Sequence, residues 1–237
     1  MRWRAAFDAV ADVLLPPQCA VCDEVLPVAG CFCERCSHEV LELPSVHCSR
    51  CAEPGAFDGG MCSRCSAGVP WEKAWAPFEH DGSVARAIHR FKYEDRSDLS
   101  RPLGLLLAAT AADVLVKMPG VLVPLPLHDA RYRQRGFDQA AMLTHVLATQ
   151  EEREVSLDLL RRVKDTPRQV GLTEAQREAN VRGAFVASEQ ARGLEVVLVD
   201  DVLTSGASAR EACRVLKEVG AKRISVLTLA RARREHA

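Results

Sequence analysis

Two adjacent carboxylates, Asp200 and Asp201, follow an apolar run from Glu195 to Val199. A short loop of small and hydroxylated residues, Thr204-Ser205-Gly206-Ala207-Ser208, comes next and opens an amphipathic stretch. Ligands of open parallel sheets sit beyond the carboxyl ends of the strands, so acidic side chains delivered there face a crevice and not a core. Small residues let backbone N–H groups come close to a phosphate, and a helix N-terminus adds unpaired donors and a favourable dipole. The hydroxyls of Thr204, Ser205 and Ser208 can donate as well. The Gly-Lys-Ser/Thr signature of nucleotide-hydrolase phosphate loops is absent. The chemistry that this string suits is the cradling of a phosphorylated ligand.

A second set of reactive residues lies near the start. Nine of the ten cysteines precede residue 66, and eight form four Cys-x-x-Cys pairs: Cys19/Cys22, Cys33/Cys36, Cys48/Cys51 and Cys62/Cys65. Zinc takes four soft ligands in a tetrahedron, and a two-residue knuckle places two thiolates on one side of it. Two pairs about ten residues apart complete a ribbon-like site, so two structural zinc ions are expected. Sequential pairing is the simplest arrangement, and an interleaved one uses the same spacings. A disulfide framework would require an oxidising compartment. The start of the chain is not read as a secretory signal, because Asp8 and Asp12 break its apolar run. Cys31, His38 and His47 are read as bystanders. Cys213, on a helical face with Ala209 and Leu216, is read as core. Few apolar residues separate the knuckles, so metal must supply this segment's folding energy, on the order of 10 kcal/mol per site.

The elements that must position these groups follow from periodicity. The spacing predicts a strand over Trp75–His80, a helix capped by Ser83 and carrying Val84, Ile88 and Phe91, and a second helix over Arg101–Val116. A buried strand is expected at Val121–Leu125, with Pro124 and Pro126 at its exit, and a helix over Gly136–Ala148. The apolar strands Glu195–Val199 and Ile224–Leu229, joined by a helix over Ala207–Val219, form a βαβ unit and hence imply a parallel sheet covered on both faces. Trp3, Phe7, Val10 and Leu14 predict an amphipathic N-terminal helix stopped at Pro16-Pro17. The expected organisation is that helix over 1–18, a Cys-rich zinc module over 19–70, and an α/β domain over 71–237.

No run approaches the roughly 18 apolar residues that a membrane span needs, and a cytoplasmic setting is expected. Net charge is −1, which argues against electrostatic retention of nucleic acid. Residues 1–80 carry six Lys/Arg against eleven Asp/Glu, and the remainder twenty-five against twenty-one. The basic excess therefore lies in the larger domain. The acidic zinc module and the few aromatic residues imply weak nucleic-acid binding, if any, by the isolated chain.

The string VVLVDDVLTSGAS resembles the ribose-phosphate fingerprint of type I phosphoribosyltransferases. The cysteine pairs, Phe91-Lys92-Tyr93, the Pro-x-Pro strand exit, Arg135-Gly136-Phe137-Asp138-Gln139-Ala140 and the run from Lys164 to Phe185 are similar to one branch of that family. This is the ComF family of competence-associated proteins, which combines an N-terminal double zinc ribbon with a type I phosphoribosyltransferase domain. The resemblance covers nearly everything after about residue 18. Asp138 stands where most relatives have Asn, and Ser205 where Thr is commoner. The implied fold is a type I phosphoribosyltransferase-like parallel sheet flanked by helices, preceded by the small zinc-binding module.

The resemblance implies roles for named residues. Asp200 and Asp201 would hold the ribose hydroxyls of phosphoribosyl pyrophosphate (PRPP) and stabilise positive charge developing on the ribose ring. Thr204, Ser205, Gly206, Ala207 and Ser208 would hold its 5-phosphate. Arg131, Arg133 and Arg135, in a basic turn over 128–135, would meet the diphosphate together with Mg²⁺. Segment 164–182 is the candidate for a hood over the reaction centre. The implied chemistry is displacement of pyrophosphate from ribose C1 by a nitrogen nucleophile, with no dedicated base visible. A non-catalytic PRPP- or nucleotide-binding regulator, and a DNA-handling factor working with competence or DNA-uptake machinery, are the other two readings.

Overall fold

The computed structural model describes residues 16–166 and 173–233. The expected N-terminal helix lies outside the described residues up to Pro16, as does the middle of segment 164–182. In chain order, two single-turn helices, α1 (Glu34–Ser37) and α2 (Ser63–Ser66), precede β1 (Lys73–Trp75), β2 (Phe78–Glu79), α3 (Gly82–Tyr93) and α4 (Ser100–Leu115). Then come β3 (Val121–Pro124), α5 (Asp129–Arg135), α6 (Gln139–Glu151), β4 (Leu160–Arg162), α7 (Glu174–Val181) and β5 (Phe185–Ala187). The chain continues with β6 (Glu195–Leu203), α8 (Ala207–Glu218) and β7 (Arg223–Arg231).

The main sheet is parallel throughout. Its order is β1-β7-β6-β3, with β2 lying further along the same edge of β7 as β1. Side chains of β6 alternate between two cores. Val196 and Leu198 meet Ala209, Ala212, Cys213 and Leu216 of α8 on one face. Val197 and Val199 meet Ile88, Phe91, Leu107 and Leu143 of α3, α4 and α6 on the other. Burial on both faces is the physical reason that this strand reads as an unbroken apolar run. Cys213 is fully buried, and burial raises its thiol pKa well above the ordinary value. A small antiparallel pair, β4 with β5, stands apart from the main sheet.

Several local expectations are corrected. The single strand over Trp75–His80 is two short strands interrupted at Ala76-Pro77, because proline brings no N–H to a ladder. The Pro77 carbonyl instead accepts from the Leu43 N–H at 2.8 Å. Asp81, not Ser83, caps α3 by accepting from the Gly82 N–H, and Ser83 is buried in the first turn. The basic turn over 128–135 is helix α5, which ends at Gly136 in the left-handed region (φ 81°). Asp138 then caps α6, so the helix expected from Gly136 begins three residues later, at Gln139, and runs on to Glu151. β6 continues four residues past Val199, which puts the acidic pair inside the strand.

The two ribbons dock differently. The first has its own small cluster of Cys19, Leu26, Cys33 and Cys36, and Asp23 holds it to Arg90 of α3 (2.7 Å) and to Arg96 (2.6 Å). These two guanidiniums bring the Asp23 carboxyl down to about 2. The thiols of the second, Cys48, Cys51, Cys62 and Cys65, share one core with Ala74, Leu198 and Val226 of the sheet. Among the described residues no helix is long and apolar enough to cross a membrane.

Candidate functional site

Asp200 and Asp201 leave β6 on opposite faces, as successive strand residues must. Asp201 points toward α3 and is buried (4 % exposed). Its Oδ1 accepts from Lys92 Nζ, in the last turn of α3, at 2.7 Å. The expectation that this carboxylate lies clear of the core is therefore wrong: the strand runs on to Leu203, and α3 covers that face. Asp200 is half-buried, and its Oδ1 accepts from the Asp201 N–H at 2.8 Å. Burial, and then the neighbouring Asp201 charge, push the Asp200 carboxyl up to about 8, and Lys92 offsets only part of the rise.

A crevice of about 310 Å³ opens over this pair. Cations line it from four elements: Lys92 of α3, Arg131 and Arg135 of α5, Arg162 of β4 and Arg177 of α7. A second chamber of about 550 Å³ adjoins it and shares Lys92, Tyr93, Arg131 and Arg135, adding Arg133. Of the three arginines expected from sequence, Arg131 and Arg135 thus line the crevice, and Arg133 lines only the neighbouring chamber. Arg135 stacks over the Tyr93 ring at 5.3 Å and donates to Gln139 Oε1. Arg131 donates to the Thr166 carbonyl at 2.5 Å, and Arg162 to Thr166 Oγ1 at 2.6 Å. Burial, with Arg131 nearby, lowers the Arg162 pKa.

The loop residues divide by direction. Thr204 and Ser208 line the crevice, and Thr204 is exposed. Ser205 is buried, and its Oγ accepts from the Ala207 N–H at 3.4 Å. Its carbonyl accepts from Arg64 Nη1 at 2.7 Å and Arg210 Nη1 at 3.0 Å. Gly206 precedes α8 with φ 77°, the left-handed conformation that glycine adopts without penalty. The Ser205 hydroxyl and the left-handed Gly206 therefore shape the loop, and the backbone of 205–207 remains the part able to meet a phosphate.

The eight cysteines form two groups, Cys19/Cys22/Cys33/Cys36 and Cys48/Cys51/Cys62/Cys65, so pairing is sequential. Sulfur separations of 3.7 Å (Cys22–Cys33), 3.8 Å (Cys36–Cys22) and 3.7 Å (Cys51–Cys62) match the edge of a tetrahedron with Zn–S bonds of about 2.3 Å. These are two four-cysteine zinc sites. Cys31 belongs to neither group, and burial raises its thiol to about 12. His38 is exposed, and His47 Nδ1 contacts the Pro44 carbonyl at 2.6 Å.

Residues 134–237 match the phosphoribosyl transferase domain family, and residues 10–73 match the double zinc ribbon domain family. Competence protein F of Haemophilus influenzae is 29 % identical over 85 % of this chain and 90 % of its own length. The two modules and the near-complete overlap make one likeness clear. The chain is similar over almost its whole length to the ComF-type competence proteins. The DNA utilization protein YhgH of Salmonella typhimurium is 27 % identical over 92 % of this chain and 98 % of its own. Competence protein ComFC of Bacillus subtilis is 24 % identical over 84 % and 83 %.

Several crevice residues had no role assigned from sequence. Lys92 lies in a motif that the resemblance included without a function, and its link to Asp201 spans 109 positions. Arg162 and Arg177 have no local signal beyond basicity. Asp138 takes the Ala141 N–H on Oδ1 (3.0 Å) and the Leu127 N–H on Oδ2 (2.9 Å). Both oxygens act as acceptors, so Asn would present an NH₂ group to one of these donors.

Proposed function

We propose that the phosphoribosyltransferase domain binds PRPP over Asp200, Asp201 and the 204–208 loop, and transfers its phosphoribosyl group to a nitrogen nucleophile with release of pyrophosphate. The observation that carries this reading is the convergence of an acidic pair, a small-residue loop at a helix start and five cationic side chains on one crevice. A ribose offers hydroxyls to the carboxylates, its 5-phosphate suits the loop amides and the Thr204 and Ser208 hydroxyls, and the diphosphate suits Arg131, Arg133 and Arg135. Asp200 offers the hard oxygen donor that Mg²⁺ takes, and that ion would arrive on the diphosphate and neutralise the leaving charge. As the C1–O bond breaks and the C1–N bond forms, Asp200 and Asp201 face the positive charge on the ring. Segment 164–182 joins β4 to β5, which suits a hood over the crevice. A cytoplasmic setting belongs to this reading, since thiolate ligands persist where thiols stay reduced.

A screen of nucleobases and amines for PRPP-dependent pyrophosphate release tests the reading. Release with any acceptor is the expected result. Tight PRPP binding with no release from any acceptor would favour a regulator that senses PRPP. Competence or DNA-uptake machinery is the proposed setting for either form, because the relatives carry those names.

The raised Asp200 carboxyl adds a pH dependence. A carboxyl with an elevated folded-state pKa keeps a proton that the unfolded chain has already lost, so its contribution to stability falls as pH rises from about 4 toward 8. Ligand affinity runs the other way, because the ionised form accepts hydroxyl hydrogen bonds. PRPP affinity measured by calorimetry is expected to rise through pH about 8 in the wild type relative to Asp200→Asn, a comparison that removes the ligand's own titration. Parallel profiles would sink this role.

A further inference from the structure

We propose that the second zinc ribbon positions the phosphate-binding loop, so that the metal state of this ribbon, and not of the first, sets affinity for the phosphoribosyl ligand. The ligand clause rests on the function proposed above; the positioning clause does not.

The ribbons are a 29-residue repeat. Cys19, Cys22, Glu24, Cys33, Arg35 and Cys36 recur as Cys48, Cys51, Glu53, Cys62, Arg64 and Cys65. Their backbones agree in detail. Asp23 and Ala52 both adopt positive φ (61° and 57°), and the first cysteine of each ribbon donates its N–H to the glutamate carbonyl at 2.8 Å. Local folding therefore does not distinguish them, yet their conserved-in-place charges do different things. In the first ribbon Arg35 and Glu24 lie in solvent, 73 % and 56 % exposed and 4.0 Å apart. In the second, Glu53 is buried against Arg231 of β7, their side chains being 2 % and 1 % exposed. Arg231 also donates to the carbonyls of Cys51 (3.0 Å), Leu203 and Thr204 (2.5 Å each). Arg64 donates to the carbonyl of Ser205.

Three consecutive carbonyls, those of Leu203, Thr204 and Ser205, are thus held by Arg231 and Arg64, two guanidiniums that the second ribbon fixes in place, with Arg210 of α8 sharing the Ser205 carbonyl. A trans peptide is planar, with its C=O and the following N–H on opposite sides. Drawing these carbonyls toward the ribbon turns the N–H groups of Thr204, Ser205 and Gly206 away from it. Those are the amides that a phosphate needs. Arg64 lies between two zinc ligands, Cys62 and Cys65, so its reach depends on the knuckle being closed.

The test compares equivalent positions in the full-length zinc-loaded chain. Arg64→Met is expected to keep two zinc per chain but to speed amide hydrogen exchange in 204–208 and weaken PRPP binding, each by about tenfold or more, as loss of a charge-assisted bond implies. Arg64→Lys should restore part of both effects. Arg35→Met should change neither. Cys65→Ser and Cys36→Ser each lose one metal, and only the former should release the loop. Wild-type exchange rates over 204–208 in both Arg64→Met and Cys65→Ser would overturn the proposal. Exchange needs no ligand, so a wild-type chain that failed to bind PRPP would refute the functional reading while leaving the positioning result readable.

Discussion

Asp201→Asn is expected to weaken PRPP binding ten- to hundredfold, because a hydrogen bond to a charged group contributes about 1.5–3 kcal/mol. Calorimetry with Mg²⁺ present measures it. The variant will not be silent for the fold. Asp201 is buried against Lys92, and removing one partner of a buried ion pair costs about 3–5 kcal/mol when the other cannot relax. Lys92 keeps 23 % of its side chain exposed and Asn keeps one acceptor oxygen, so a loss below about 3 kcal/mol is expected in chemical denaturation. The double variant Lys92→Met/Asp201→Asn separates the two effects. It should regain stability, since no buried charge is stranded, and it should not regain ligand. Equal PRPP affinity in the wild type and Asp201→Asn would show that the acidic pair is not the binding site.

Zinc removal should have the largest effect on the protein as a whole. Metal analysis under reducing conditions is expected to give close to two zinc per chain, and each structural site to contribute on the order of 10 kcal/mol of apparent binding energy. The two sites should not be equivalent. Cys51 is 2 % exposed and lies in the core that the second ribbon shares with the sheet, whereas Cys22 is half-buried at the edge of a small cluster in the first ribbon, a module from which Ala20, Val21 and Phe32 reach the core under α3. Cys51→Ser is therefore expected to lower the melting temperature of the whole chain well beyond Cys22→Ser, which removes no thiol from either main core. Equal shifts in calorimetry would mean that the shared core does not couple the modules. A zinc content near zero would end the metal reading.

Which features could be read before the structure follows from the range of the interaction that specifies each. Metal ligation by a knuckle is local, so four Cys-x-x-Cys pairs announced two sites, but pairing order needed coordinates because sequential and interleaved ligation use the same spacings. β6, α8 and β7 were legible because burial on two faces forces continuous apolar strands and burial on one face forces a helical period. Helix α5 reads as a turn because Asp129–Arg135 is polar almost throughout and carries no apolar period to announce a helix. The acidic pair was placed by its type at a strand exit, yet the true end of β6 depends on pairing of Val202 and Leu203 with Ala230 and Arg231, which are distant in sequence.

By itself, then, the order of residues determined what is set by neighbours along the chain: the zinc ligands, the small-residue loop after the acidic pair, the parallel βαβ unit and the likeness to the ComF proteins. Tertiary structure decided what depends on groups brought together from afar. Lys92 neutralises Asp201 only because α3 packs over that face of β6. Arg162 and Arg177 join Arg131 and Arg135 only because β4 and α7 close one side of the crevice. Glu53 and Arg64 differ from Glu24 and Arg35 in nothing that a repeat pattern records. Their separate duties come from which surface each copy meets, since a charge is held in place only where burial and a fixed partner remove its freedom to stay in water.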